Sequence, residues 1–203
     1  MMVPPTLSQR VEWPLPATDP KPALRRIFRQ RRQEFATGLD AEKREQLESA
    51  LARVVTPAAI CARILASYAA RGGEIDPRFV GMNLPSLAYP RVAGERLSFH
   101  ICGWQDLRPG FGKIPEPSAS APQVVPDVVL VPLLAVTPDG RRLGQGGGFY
   151  DRALADLRSR QPIIAIGMAW DVQMTDSLPH EPWDALLDHI ATPTRLVDCA
   201  RHR

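Results

Sequence analysis

Apolar positions in this chain fall into stretches of helical and of strand period that alternate along its length. Leu24, Ile27, Phe28 and Phe35 form one stripe in an otherwise basic segment, which predicts an amphipathic helix over residues 21–37 docked on a core. A second helix opens near Asp40, with Leu47, Leu51 and Val54 on one face. Residues 63–69 read as a buried strand, 77–82 as a short helix, and 87–92 and 96–102 as strands. A loop rich in Pro and Ser crosses from 108 to 126, and PDVVLVPLLAV then predicts one long buried strand over 128–136. A glycine loop follows, then a helix from Tyr150 carrying Leu154 and Leu157, a strand over 163–169 and a final strand over 189–194. This alternation predicts an α/β fold: a single domain with a mainly parallel sheet, helices on both faces, and a ligand cleft. Ligands in such sheets gather beyond the carboxyl ends of the strands, where the glycine loop falls.

That loop, RLGQGGGFYD over residues 142–151, carries the chemistry. Backbone N–H groups of Gly144, Gly146, Gly147 and Gly148 can converge on a phosphate, and the following helix adds the positive end of its dipole. The loop is neither GxGxxG, which needs glycine where Phe149 stands, nor a Walker loop, which needs Lys followed by Ser or Thr. A plain tight turn with positive φ remains the alternative. Asp151 falls in the first helical turn, where a carboxylate is favoured and would stand beside a bound phosphate, ready to carry Mg²⁺. Arg141 and Arg142, after the turn Thr137-Pro138-Asp139-Gly140, bring fixed positive charge to the same place and could neutralise a transferring phosphoryl group.

RLGQGGGFYDR resembles the RLGxGxGYYDR signature of the 5-formyltetrahydrofolate cyclo-ligase family, also called 5,10-methenyltetrahydrofolate synthetase. The similarity continues, in the family's order, through KPALR (21–25), SYAARGGEID (67–76), YPR (89–91), GKIPEP (112–117), PDVVLVPLLAV and PHEPWDALLDHIATP (179–193). It implies an ATP- and Mg²⁺-dependent ligase that converts 5-formyltetrahydrofolate to 5,10-methenyltetrahydrofolate, releasing ADP and phosphate through a phosphorylated formyl group. Substrate atoms supply both nucleophiles, so the protein is asked to position, desolvate and stabilise charge. Carried over by position, Lys21 and Arg25 resemble the family's N-terminal ATP-binding element. Arg142, Leu143, Gly144, Gln145, Gly146, Gly147, Gly148, Phe149 and Tyr150 would hold the nucleotide phosphates, with Gln145 to Phe149 also meeting the edge of the folate. Arg142 and Asp151 take the catalytic roles, Asp151 and Asp184 the magnesium ligands, and Glu74 a substrate-binding carboxylate, its alternative being a surface acid after the Gly72-Gly73 turn. Departures are local: Gln145 and Gly147 stand where the family often carries other side chains, and Phe111 lies one place earlier than the usual aromatic before IPEP. Phe111 and Trp104 are open to stacking on a pterin or to a core or surface role.

Bulk properties bound the rest. The 203 residues suit one domain, divided as 1–20, a flexible Pro-rich extension containing Trp13, and 21–203, the cyclo-ligase-like domain. No apolar stretch is long enough for a signal peptide or a membrane span, so a cytoplasmic location without membrane partners is expected. Cys61, Cys102 and Cys199 fit neither a disulfide framework nor a CxxC site, and His100, His180, His189 and His202 show no metal-ligand spacing. Net charge is only +3, yet residues 21–32 hold six basic side chains, which raises nucleic-acid binding as a competing class. The apolar stripe argues for arginines turned to solvent or ATP instead. A third class is an enzyme of the same fold with a different acceptor. The expected ligands are ATP and 5-formyltetrahydrofolate, with or without a polyglutamate tail, the expected state is a monomer, and no nucleic acid is expected.

Overall fold

The computed structural model describes residues 19–81 and 87–202; residues 1–18, most of the expected extension, lie outside it. Helix α1 (Lys21–Thr37) has Pro22 in its first turn, where a missing N–H costs nothing, and the Gly38 N–H closes its last turn on the Glu34 and Phe35 carbonyls. Helix α2 (Ala41–Ala59) starts at Asp40, whose carboxylate accepts the Lys43 N–H at 2.7 Å.

The strands that follow are β1 (Leu65–Ala66), β2 (Leu87–Ala93), β3 (Arg96–Ile101), β4 (Arg108–Pro109), β5 (Pro115–Glu116), β6 (Gln123–Val124), β7 (Val128–Pro132), β8 (Ala135–Val136) and β9 (Arg142–Leu143). A short helix α3 (Arg78–Gly81) lies between β1 and β2. Helix α4 (Phe149–Arg160), β10 (Ile164–Met168), β11 (His189–Ala191) and β12 (Leu196–Asp198) complete the chain. Eight strands form one sheet in the order β12-β11-β10-β7-β1-β2-β3-β6. Pairings from β11 through β2 are parallel, and the two ends are antiparallel.

Alternation along the central strands decides which helix each face receives. Leu65, Val128, Leu130, Ile166 and Met168 meet Leu51, Val55 and Ala59 of α2, while Ala66, Val129, Val131 and Ala165 meet Ala153, Leu154 and Leu157 of α4. The sheet is therefore mainly parallel, with helices on both faces.

Three expectations need correction. The apolar run 128–136 is not one strand: β7 ends at Pro132, and Ala135–Val136 turns away to pair with Arg142–Leu143 in a separate hairpin. The Leu133 carbonyl, freed from the sheet at this bend, accepts from buried Arg32 and Gln173, so the change of direction leaves no orphaned acceptor. The Pro/Ser segment 108–126 contains β4, β5 and an edge strand, β6, on the main sheet. The last strand stops at Ala191, and the chain reverses into β12.

The β8–β9 hairpin positions the site. Leu24 and Phe28 of α1 pack with Leu134, Ala135, Leu143 and Leu178, which fixes the basic helix over the glycine loop that follows β9. Its turn depends on Gly140, at φ +90°, whose carbonyl accepts the Leu187 N–H at 3.0 Å. A Cβ there would come within 2.5 Å of the Leu187 carbonyl oxygen. Gly140→Ala is accordingly expected to lower unfolding free energy by about 2–4 kcal/mol, the sum of backbone strain and crowding. Urea unfolding measures it, and an unchanged midpoint would show that the segment 184–187 is not docked through this turn.

Candidate active site

Beyond the carboxyl ends of β1 and β7 lies a cleft of ≈ 1770 Å³, walled by α1, the glycine loop, the β2–β3 hairpin and the segment 181–188. That exceeds the roughly 300–1,000 Å³ of an ordinary small-molecule pocket, so two ligands can lie side by side. Lys21, Arg25, Glu74, Asp184 and every residue from Arg142 to Asp151 line it. Segments far apart in sequence thus meet at one surface.

Two cation–carboxylate pairs dominate its floor. Lys21 Nζ donates to Asp184 Oδ2 at 2.7 Å, and Arg142 Nη2 to Asp151 Oδ1 at 2.6 Å. Both carboxylates are fixed further by backbone donors, Asp184 Oδ2 by the Glu181 N–H at 2.8 Å and Asp151 Oδ1 by the Ala185 N–H at 3.0 Å. Asp151 Oδ2 and Asp184 Oδ1 accept nothing from the described residues, so each acid keeps one oxygen for another ligand. Burial pushes the Asp184 carboxyl up, but the Lys21 hydrogen bond and the Glu181 N–H outweigh it and hold the group below the usual carboxylate range. A depressed acid stabilises the fold above its unfolded pKa, and that contribution is lost as pH falls through the folded value; Asp184 is charged at neutral pH. Burial also draws the Arg142 pKa down, opposed by the charges of Asp151 and Asp184. Its Nε is buried without a partner among the described residues. A buried guanidinium donor without a partner is a cost that an anion brought against it would relieve.

The donor set also suits a hard divalent cation. Among the described residues no three His, Cys, Asp or Glu side chains come together. An ion held by Asp151 and Asp184 would have to draw its other oxygens from ligand and water, which is the habit of Mg²⁺.

Above these pairs the loop 144–148 runs into α4, whose N-cap, Gly148, offers no side-chain hydrogen bond. The first-turn N–H groups therefore face the cleft without a protein cap, beside the Asp151 and Arg142 charges. The loop is held from both flanks. Arg25 Nε donates to the Gly144 carbonyl at 3.2 Å and Arg29 Nη2 to Gln145 Oε1 at 2.8 Å. On the other flank Arg152 bridges the Gly147 carbonyl at 2.9 Å and the Glu95 carbonyl at the β2–β3 turn at 2.8 Å, with its guanidinium over the Phe149 ring. Leu143, placed in the loop by its sequence, turns its side chain into the α1 core and can offer only backbone to a ligand.

At the far end Glu74 is held by Arg32 Nη1 at 3.1 Å and by the Arg71 N–H at 2.9 Å. Tyr150 feels the charges of both this carboxylate and Arg142, and burial raises its pKa, so its phenol is neutral at physiological pH. Phe111 reaches the same end and meets Phe149 edge-on at 5.7 Å between ring centroids. Trp104 is instead engaged with Tyr89 and Arg78, outside the cleft.

Sequence reasoning missed Arg29, Arg32 and Arg152 as elements of the site. The first two continue the spacing of Lys21 and Arg25 along one face of α1, a signal that was legible. Arg152's partners are backbone carbonyls, one of them 57 residues away, and no spacing announces those.

Comparison with known proteins places these features in context. A model of the 5-formyltetrahydrofolate cyclo-ligase family matches residues 90–193. The 5-formyltetrahydrofolate cyclo-ligase of Escherichia coli (strain K12) is 32% identical over 187 residues, covering 84% of this chain and 98% of that protein. The NMR structure of Aquifex aeolicus 5,10-methenyltetrahydrofolate synthetase superposes with a TM-score of 0.71 at 27% identity, over 87% of this chain and 93% of the other. The 5,10-methenyltetrahydrofolate synthetase from Mycoplasma pneumoniae superposes with a TM-score of 0.65 at 25% identity, over 85% and 98%.

Proposed function

The chain belongs to the 5-formyltetrahydrofolate cyclo-ligase family, and from that membership we propose that it closes the ring of 5-formyltetrahydrofolate at the expense of ATP, with Mg²⁺, giving 5,10-methenyltetrahydrofolate, ADP and phosphate. The enzyme class is that of its relatives; co-substrate, metal and residue roles are the proposal. The observation that carries it is the convergence, in a cleft with room for two ligands, of an open glycine loop with the Lys21–Asp184 and Arg142–Asp151 pairs.

Lys21, Arg25 and the N–H groups of 144–150 bind the triphosphate, and Asp151 and Asp184 each present the oxygen that no donor among the described residues uses. Magnesium, when bound there, would neutralise and orient the phosphate oxygens. The formyl oxygen of the folate attacks the γ-phosphorus and ADP departs; N10 then attacks the activated carbon and phosphate departs. No protein nucleophile is required. Arg142 is charged and largely desolvated, and its free Nε can meet charge as it develops on the transferring group. Glu74, fixed by Arg32 and the Arg71 N–H, accepts from the ring N–H groups of the pterin. Phe149 and the loop edge 145–148 cover the folate. The substrate is taken with or without a polyglutamate tail, by a monomer in a reducing cytoplasm, where Cys61, Cys102 and Cys199 stay reduced. Among the described residues no helix is long and apolar enough to cross a membrane.

Purified protein mixed with 5-formyltetrahydrofolate, ATP and Mg²⁺ is expected to produce the near-ultraviolet absorbance of the methenyl product, and to produce none when ATP or Mg²⁺ is omitted. ATP binding without product would mean that the scaffold serves another acceptor, and product without ATP would end the proposed mechanism.

A further inference from the structure

One side chain of the cleft is left unexplained by the fold. Trp183 is 72% exposed, and among the described residues its indole takes part in no hydrogen bond, ring pair or cation contact. The other two described tryptophans are engaged: Trp170 is fully buried with its Nε1–H on the Gly73 carbonyl, and Trp104 packs on Tyr89 beneath Arg78. A large apolar ring left in water at the lip of a cleft is a marker of contact with something else.

Its placement is rigid rather than incidental. Glu181-Pro182-Trp183-Asp184 is a turn closed by the Asp184 N–H on the Glu181 carbonyl at 2.9 Å and, in return, by the Glu181 N–H on Asp184 Oδ2 at 2.8 Å. The same Oδ2 accepts from Lys21, so the turn is tied to the start of α1. An aromatic platform presented on a locked turn loses little conformational entropy when a ligand settles on it.

Which ligand meets it follows from the order of groups along the cleft. Helix α1 sets that order: Lys21 in its first turn holds Asp184, and Arg32, roughly 16 Å further along the helix axis, holds Glu74. Trp183 adjoins the Asp184 end of this series, away from the carboxylate assigned to the pterin. Resting on the nucleotide reading given above, we propose that Trp183 is the stacking platform for the nucleobase of the bound nucleotide. The phosphates then run from this end toward the glycine loop, and the base lies on the indole face.

Equilibrium binding of Mg·ADP, Mg·tripolyphosphate and 5-formyltetrahydrofolate to the parent, Trp183→Ala and Trp183→Phe chains tests it. Removing an aromatic partner from a stacked base weakens binding by about tenfold. Trp183→Ala is therefore expected to raise the Kd of Mg·ADP about tenfold and leave that of Mg·tripolyphosphate, which has no base, unchanged. Trp183→Phe is expected to restore most of the affinity and to abolish the quenching of tryptophan emission by ADP expected of the parent. An unchanged Mg·ADP affinity in Trp183→Ala would overturn the proposal, as would an equal loss for tripolyphosphate, which would place the effect in the Asp184 turn. A loss confined to 5-formyltetrahydrofolate would put the indole against the folate and overturn it too. A parent chain that binds no Mg·ADP would sink the nucleotide reading itself, an outcome distinct from the failure of Trp183 alone.

Discussion

Asp151→Asn is expected to leave a folded enzyme whose kcat, at saturating ATP and 5-formyltetrahydrofolate, is about 100- to 1000-fold below that of the parent, the loss seen when a group aligned on developing charge is removed. Asparagine keeps the volume of the side chain and an Oδ1 that can accept from Arg142 and from the Ala185 N–H, the two contacts the aspartate makes here. What it loses is the negative charge shared by the oxygen that accepts nothing from the described residues. If that oxygen carries magnesium, the Mg²⁺ concentration for half-maximal residual activity rises, and the KM for the folate stays where it was. Asp151→Ala is a poorer test. It strips the counter-charge from an Arg142 side chain that is only 5% exposed, and breaking a buried pair on one side costs about 3–5 kcal/mol. Thermal melting separates the two substitutions. A kcat for Asp151→Asn within about threefold of the parent would remove Asp151 from the chemistry and leave it as Arg142's structural partner.

The same reasoning explains why the two acids are paired with cations. A carboxylate pair facing a cleft would repel itself and draw its own pKa values up. Lys21 holds Asp184 charged and Arg142 partners Asp151, and on the proposed reading each cation would change partners once a triphosphate and its metal arrive. Each of the two pairs is therefore neutral in itself, while Arg25, Arg29 and Arg152 add positive charge around them.

Of this arrangement, the sequence displayed the parts that are local. The spans of α1 and α4 and the opening of α2 followed from apolar spacing, because each helix buries a stripe wide enough to print itself on the pattern. The bend after Pro132 did not, since β7, the bend and β8 are buried at every position but Pro132 and apolar throughout, leaving no polar residue to mark the change of sheet. The two-residue strands β4, β5 and β6 are too short to show a period. They are held by side chains such as Glu116, which accepts from the Phe111 and Val92 N–H groups, and His100, which contacts the Ala121 carbonyl. For the site, the glycine loop and Asp151 were visible as a contiguous stretch, and Glu74 and Asp184 came from the family resemblance. The pairing of Lys21 with Asp184, 163 residues away, is a property of the packed molecule. Helix α1 docks on the β8–β9 hairpin, and only that docking brings the two side chains together.

That docking also makes the loop testable at one atom. Gly146→Val is expected to weaken Mg·ADP binding by about 10- to 100-fold with little change in melting temperature. Gly146 sits at φ +105°, where a β-branched residue is strained by about 1–3 kcal/mol, and the loop relieves that strain by moving. Its surroundings decide in which direction the cost appears. The residue is exposed and contributes nothing to the core, so the fold has little to lose. A Cβ at this position lies 3.4 Å from both Cζ and Nε of Arg25, and the two further methyl groups of valine would push against the guanidinium that holds the Gly144 carbonyl. Displacing Arg25 loosens the first half of the loop while Arg152 still grips the second, so the N–H groups cease to point at a common centre. Convergence of those donors, rather than any single one, gives a phosphate cradle its affinity. Isothermal titration with Mg·ADP measures the loss directly. Affinity undiminished by the valine, in a chain that melts with the parent, would show that residues 144–148 form a turn and that the phosphates are held elsewhere in the cleft.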